Sequence, residues 1–258
     1  MPRLILLLLC LFLAACNGKK DNSLRVGMEL TYPPFEMKDA QGNPDGVGVK
    51  MAEALAKELG RPLKIVPMEF SGLIPALKSG NVDVVISSMT ASEERRQSID
   101  FSEPYAFTGL SILVGKDSKA QSIEDLKGDG VKISVKAGTT GESWVAANLP
   151  KAKLVAFADE PACVMEVAQG RADAFIYDQL SIYRYHKENP NTTRALLNAF
   201  VQENWAVGLP KGKDELKGQV NAFIEKFRKD GGFSKLADQY LQDEKKALEG
   251  MGVPFILR

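Results

Sequence analysis

The sequence predicts an α/β fold with largely parallel sheets, divided into two lobes, and three observations predict it. Apolar stretches with strand character alternate with stretches of helical spacing, the order that builds parallel sheets joined by helical crossovers. One segment, Gly80-Asn81-Val82-Asp83-Val84-Val85-Ile86-Ser87-Ser88, is echoed 90 positions later by Gly170-Arg171-Ala172-Asp173-Ala174-Phe175-Ile176-Tyr177-Asp178. Glycine, aspartate and isoleucine recur in register, and each copy reads as a helix cap, an apolar strand and a polar rim. Two copies imply two lobes, each presenting its rim beyond the C-terminal ends of its strands, where open α/β sheets hold ligands. Finally, two apolar stretches at 110–114 and 205–209 read as crossings between the lobes. A double crossing without a Pro/Ser-rich linker suits a hinge better than a tether.

The elements follow in order. Leu24 to Met28 reads as an opening strand, and Thr31-Tyr32-Pro33-Pro34-Phe35 breaks it into a loop. Val47, Val49, Met51, Ala52, Leu55, Ala56 and Leu59 keep helical spacing until Gly60 and Pro62 stop the helix. Residues 63–66 read as a second strand, 73–79 as a short helix capped by Gly80, and 82–86 as a β-branched strand. Thr90 with Glu93 forms a T-x-x-E capping box and predicts a helix from Ala91. In the second lobe 131–135 reads as a strand, and Thr139 with Glu142 forms a second box. Val220, Phe223, Ile224 and Phe227 at helical spacing, then 236–241, bring the tail back onto the first lobe.

The N-terminal end carries an address. After Met1-Pro2-Arg3 comes an apolar run at 4–13, too short for a bilayer span of ~20 residues and suited to a secretory signal. It ends in Leu13-Ala14-Ala15-Cys16, which resembles the lipobox of bacterial lipoproteins, with small residues before a lipid-bearing cysteine. Cys10 does not qualify, because Leu9 precedes it. The expected organisation is a signal peptide at 1–15, a lipidated tether at 16–23, lobe I at 24–109 and 202–258, and lobe II at 110–201. The expected location is the cell envelope, on a membrane surface facing the periplasm or the cell exterior.

Composition narrows the function classes. Cleavage leaves 258 − 15 = 243 residues and removes one of 33 cations against 33 acids, for a net charge of −1. A balanced chain gives no reason to expect nucleic acid or anionic lipid as partner. Cys163 is the free thiol of the mature chain, so no intrachain disulfide is expected. With His186 as the single histidine, neither a transition-metal site nor a cofactor is expected.

Residues 87–96 carry the densest chemical signal. A helix start offers unpaired N–H groups and positive dipole potential to an anion, and Arg95 adds a two-pronged guanidinium. Lys136-Ala137-Gly138-Thr139-Thr140-Gly141-Glu142 supplies a second helix start from the other lobe, without P-loop spacing. Asp178, at the end of an apolar strand, is a helix or turn cap in one reading. In the other it faces Arg95 across a cleft as the partner of an ammonium. A carboxylate pole and an ammonium pole together fit a free amino acid.

These residues resemble the bacterial extracellular solute-binding proteins of family 3, the polar amino acid binders of ABC transporters. The resemblance covers essentially the whole mature chain. Its landmarks are Thr31-Tyr32-Pro33-Pro34-Phe35-Glu36, Phe70-Ser71-Gly72-Leu73-Ile74-Pro75-Ala76-Leu77, the stretch 86–95, Asp100-Phe101-Ser102-Glu103-Pro104-Tyr105, Gly138-Thr139-Thr140 and Gly170-Arg171-Ala172-Asp173-Ala174. It implies the two-lobed periplasmic-binding-protein fold of type II, with two α/β lobes on a two-strand hinge, and a monomer without catalytic residues. By position it implies Arg95 as the α-carboxylate clamp, aided by N–H groups at Thr90 and Thr140. Asp178 becomes the α-ammonium partner, aided by Ser88, and Ser87 and Thr139 are counted among the ligand-binding residues. Tyr32 and Phe70 become aromatic walls, and Glu29 reads the polar end of the side chain. Lys136 resembles a lysine that some glutamine binders pair with the acid at the Glu29 position. Two departures stand out: Val47-Gly48 replaces an aromatic-Asp pair, and Gly141 replaces a longer polar side chain.

Counting Arg95 and Lys136 against Glu29 and Asp178 gives a neutral cleft, which ranks glutamine first and a basic amino acid second. A basic ligand would need Glu29 free of Lys136. The expected function is ligand capture by cleft closure and delivery to a membrane permease. The alternatives are a cyclohexadienyl or arogenate dehydratase on the same scaffold, or a sensor module acting through a partner.

Overall fold

The computed structural model describes residues 21–250, 252 and 254–257. The stretch expected to be a signal peptide, 1–15, and Cys16 lie outside the described residues. The chain opens with β1 (Leu24–Met28), a two-residue-per-strand hairpin of β2 (Met37–Lys38) and β3 (Pro44–Asp45), and helix α1 (Val47–Glu58). Next come β4 (Leu63–Pro67), α2 (Leu73–Lys78), β5 (Val84–Val85), α3 (Glu93–Arg96) and the long β6 (Asp100–Gly115). The second half holds β7 (Lys132–Lys136), α4 (Thr140–Asn148), β8 (Lys153–Phe157), α5 (Glu160–Ala168), β9 (Ala174–Asp178) and α6 (Gln179–Glu188). The long β10 (Thr193–Leu209) returns to the first half, which α7 (Asp214–Lys229), α8 (Gly232–Tyr240) and α9 (Gln242–Gly250) complete.

Eight strands form one sheet in the order β4-β1-β5-β10-β6-β9-β7-β8. At one end β1 pairs parallel with β4 and β5; at the other β7 pairs parallel with β8 and β9. Between them β6 and β10 run antiparallel through both halves, with a register break between Leu196 and Val201. The crossings are therefore much longer than the apolar stretches at 110–114 and 205–209 suggest. The earlier part of each strand mixes polar and apolar residues, so only its largely apolar C-terminal end carried a strand signal.

Each half has a core on both faces of its part of the sheet. In the first half α1, α7 and α8 bury Leu55, Phe223, Ile224 and Phe233 on one face, and α2 buries Leu73 and Leu77 on the other. In the second, Val145 and Leu149 cover one face while Cys163, Val167 and Ile182 cover the opposite one. A large aliphatic side chain fully withdrawn from water contributes roughly 1.5–3 kcal/mol. Among the described residues the one cysteine, Cys163, is a free thiol, so these four clusters carry the fold of that part.

The internal echo has a physical basis. Gly80 and Gly170 both adopt positive φ, 74° and 68°, the left-handed turn that ends α2 and α5 and favours glycine. Asp83 donates its N–H to the Arg25 carbonyl and accepts the Arg25 N–H on its carboxylate, at 2.8 and 2.9 Å. Asp173 does the same with Lys132, at 2.8 Å in both bonds. The recurring aspartate clips the neighbouring parallel strand at its start in each half, at Arg25, the second residue of β1, and at Lys132, the first of β7. The recurring glycine makes the turn that delivers it.

Candidate ligand-binding site

The predicted residues converge because they stand at the same end of parallel strands. Glu29 follows β1, Ser87 and Ser88 follow β5, and Phe70 lies just beyond β4. From the other half, Lys136 and Asp178 end β7 and β9, and Thr139 and Thr140 open α4. Ten of the eleven predicted ligand contacts, all but Lys136, line one cavity between the halves. Tyr177, Glu203, Trp205 and Leu110 complete its wall.

The first capping box does not form. Ala91 donates its N–H to the Asn204 carbonyl, and the Met89 carbonyl accepts from Ala206, so Thr90 is held extended as an antiparallel bridge to Trp205 of β10 and no helix starts there. The helix starts instead at Glu93, and Ser92 caps it by accepting the Arg95 N–H. The Thr90 hydroxyl turns to Glu203, donating to Oε2 at 3.3 Å. The second helix start is as expected at α4: Thr139 accepts the Glu142 N–H. The Glu142 carboxylate takes the Gly138 N–H, at 2.7 Å, where a full box would take that of Thr139.

Arg95 is buried, and its guanidinium is held by carbonyls. Nη1 donates to Thr90 O and Nη2 to Gly138 O from the other half, both at 2.9 Å. It lies 5.3 Å from the centre of the Phe70 ring. Burial lowers its pKa, opposed by the charge of Glu203. Two carbonyls thus fix a fork with N–H groups to spare in the cavity wall.

Asp178 satisfies both of its readings at once. Oδ1 caps α6 by accepting the Leu180 and Ser181 N–H groups, both at 3.0 Å, while Oδ2 accepts the Tyr32 hydroxyl at 2.7 Å. Burial raises its pKa, and the Tyr32 and Ser181 bonds hold the rise in check. Tyr32 stacks on Phe35 and meets Trp205 and Tyr177 edge-on, so it belongs to the core and to the cavity wall together.

Lys136 is fully buried behind Glu29, where its ammonium forms ion pairs with Glu29 and with Glu160 at the start of α5, both at 2.5 Å. The Tyr177 hydroxyl donates to the Glu160 oxygen that also takes Lys136, at 3.1 Å, and the Tyr185 hydroxyl donates to the other oxygen, at 2.9 Å. Burial works against the lysine's charge, but the two carboxylates outweigh it and raise its pKa. Burial raises Glu29, with Lys136 opposing. Two serines play supporting parts: Ser87 Oγ accepts the Glu29 N–H, and Ser88 Oγ donates to Glu36 rather than into the cavity.

Sequence reasoning missed three acids, Glu36 and Glu160 buried and Glu203 half-buried. Glu36 is 1 % exposed, and burial pushes its pKa up to about 8. Its landmark motif was visible, but its role was not. A Cβ at position 48 would stand 2.1 Å from Glu36 Oε1, so the Val47-Gly48 departure makes room for this carboxyl. Glu160 and Glu203 carry no motif, and a charged residue is read as exposed unless a partner is visible. Among the described residues no group of His, Cys, Asp and Glu could hold a metal ion, and no helix is long and apolar enough to cross a membrane.

Comparison with known proteins fits this geometry. The family model described as bacterial extracellular solute-binding proteins, family 3, matches residues 24–243. The chain belongs to that family. Within it, the L-cystine-binding protein TcyJ of Escherichia coli (strain K12) is 34% identical over 224 residues, covering 86% of this chain and 84% of that protein. Among solved structures, an ancestral arginine-binding protein bound to arginine is 38% identical with a TM-score of 0.79, over 85% of this chain and 98% of its own. The ancestral amino acid-binding protein AncCDT-1, a precursor of cyclohexadienyl dehydratase, is 39% identical with a TM-score of 0.78, over 85% and 95%. The fold is thus the two-lobed type II architecture of the family's periplasmic binding proteins.

Proposed function

We propose that this chain is the substrate-binding component of an ABC importer, capturing one polar amino acid between its lobes and delivering it to a membrane permease. The observation that carries the reading is the convergence of Arg95 from one half and Asp178 from the other on a single buried cavity. The α-carboxylate docks on the spare N–H groups of Arg95 and on the start of α4 at Thr140, with Thr90 beside it. The α-ammonium docks on Asp178, and the side chain runs between Tyr32 and Phe70 toward Glu29. The lobes comprise 24–109 with 202–258 and 110–201, a division supported by the register break in the β6–β10 ladder. Cys16 anchors a monomer to the membrane.

The missed acids change the ligand ranking. Glu29 and Asp178 line the cavity against Arg95, and Lys136 is shared between Glu29 and Glu160, so three carboxylates face two cations even with Glu203 left out. Glu29 is not free of Lys136, but Glu160 divides the lysine's charge. The surplus of carboxylates favours a cationic amino acid, arginine or lysine, with glutamine second. Micromolar capture corresponds to about −8 kcal/mol, within reach of several charge-assisted bonds.

A thermal-shift screen of the mature chain against the twenty amino acids and cystine tests this. Saturation at ~100 times the dissociation constant adds about 2.7 kcal/mol to stability. Arginine or lysine is expected to give the largest shift, and Arg95→Ala or Asp178→Ala to abolish it. No shift with any amino acid refutes the reading. Turnover of prephenate or arogenate, followed by ultraviolet absorbance, would replace it with the dehydratase reading.

A further inference from the structure

Glu203 lines the cavity from β10 but has no part in the clamp as proposed. The Thr90 hydroxyl of one half donates to its Oε2 at 3.3 Å. The Thr140 hydroxyl of the other half reaches the same carboxylate, and the Arg95 charge acts on it. Those three residues are the ones the proposed function places around a ligand's α-carboxylate. We propose that Glu203 makes ligand capture proton-linked, taking up a proton from solution when an amino acid docks.

The inference rests on the proposed docking mode and follows from charge bookkeeping. Arg95 already spends two N–H groups on the Thr90 and Gly138 carbonyls. An arriving α-carboxylate would share the remaining donors with Glu203, and two carboxylates in one site cannot both stay ionised cheaply. Protonation converts Glu203 from competitor to donor: its carboxyl O–H then bonds the ligand carboxylate. The other ionisable groups lining the cavity with it are Asp178 at the end of β9, Tyr177 beside that residue, Tyr32, whose hydroxyl donates to Asp178, and Glu29 beyond β1. Burial already raises Glu203, and the negative charge of Asp178 adds to the rise. Asp178 has the opposite linkage, since an ammonium beside it favours its ionised form and releases a proton.

Because the two acids oppose each other, the test is a difference. Calorimetric titration of wild type and Glu203→Gln with L-arginine, near pH 6 in buffers of different ionisation heat, counts protons exchanged per ligand. If L-arginine gives no thermal shift, the amino acid giving the largest shift takes its place. Wild type is expected to take up more protons than the variant, by as much as about one, and its relative affinity to rise up to about tenfold per unit fall in pH. Equal counts, or more uptake by the variant, overturn the proposal. Should Glu203→Gln fail to fold, carboxyl carbon NMR of wild type decides: the Glu203 titration moves to higher pH on addition of amino acid. No movement, or a fall that would make Glu203 an ammonium partner, overturns it. Failure of every amino acid to bind would instead sink the docking reading itself.

Discussion

Replacing Glu36 with glutamine should make the fold more tolerant of alkaline pH. The Glu36 carboxyl is sealed beneath Ser88, whose Oγ donates to its two oxygens at 2.9 and 3.2 Å, and Glu29 adds repulsion while Lys136 only partly offsets it. Its pKa rises from the ordinary 4.5 to about 8. Between those values the unfolded chain has released its proton while the folded chain still holds one, so stability falls as pH rises. Each pH unit in that window costs about 1.4 kcal/mol. From about pH 5 to 8 the loss is roughly 3–4 kcal/mol, a large part of the ~5–15 kcal/mol typical of a folded domain. Glutamine has the same shape as the protonated acid and does not titrate. Urea unfolding of wild type and Glu36→Gln at both pH values isolates the effect, because other buried acids cancel in the difference. The advantage of the variant should grow with pH by several kcal/mol. An advantage that is constant, or that shrinks as pH rises, would refute the burial argument.

Other perturbations test the rest of the site. Lys136→Met leaves Glu29 and Glu160 facing each other without a cation and should cost about 3–5 kcal/mol in denaturant unfolding; restoring neutrality with Glu29→Gln and Glu160→Gln should recover much of it. Asp178→Asn keeps an oxygen for the α6 cap but loses the charge opposite an ammonium and the acceptor of the Tyr32 hydroxyl, so calorimetric affinity should fall roughly tenfold to hundredfold and stability by about 1–3 kcal/mol. Ser92→Ala removes the cap of the short helix carrying Arg95 and should cost about 1 kcal/mol, read from the unfolding midpoint. Gly48→Ala places a Cβ against the Glu36 carboxyl and should cost about 1–3 kcal/mol, with the loss shrinking in a Glu36→Ala background.

What the sequence made legible was whatever leaves a local pattern. The strand at 24–28, the helices at 47–58 and 73–78, and the glycine turns at 80 and 170 are set by neighbours in the chain, and the structure reproduces them. The rims of both halves were legible too, because parallel strands fix where their C-terminal ends must point. Two failures share a different cause. The helix predicted from Ala91 yields to β10, a strand more than 110 residues downstream, which captures the backbone at Met89 and Ala91. Glu160 and Glu203 look like surface acids until the partners of the first, Lys136 and two tyrosines, and of the second, Thr90 and Arg95, are brought to them by folding. Long-range pairing, of strands or of charges, leaves no local trace.

The paired aspartate clips have a mechanical consequence. Asp83 ties β5 to β1 entirely within one half, and Asp173 ties β9 to β7 entirely within the other. Each half-sheet therefore keeps its own strand register without help from its twin. A swing of one half against the other can leave both clips intact, and the bending is then concentrated in the two long strands that the halves have in common.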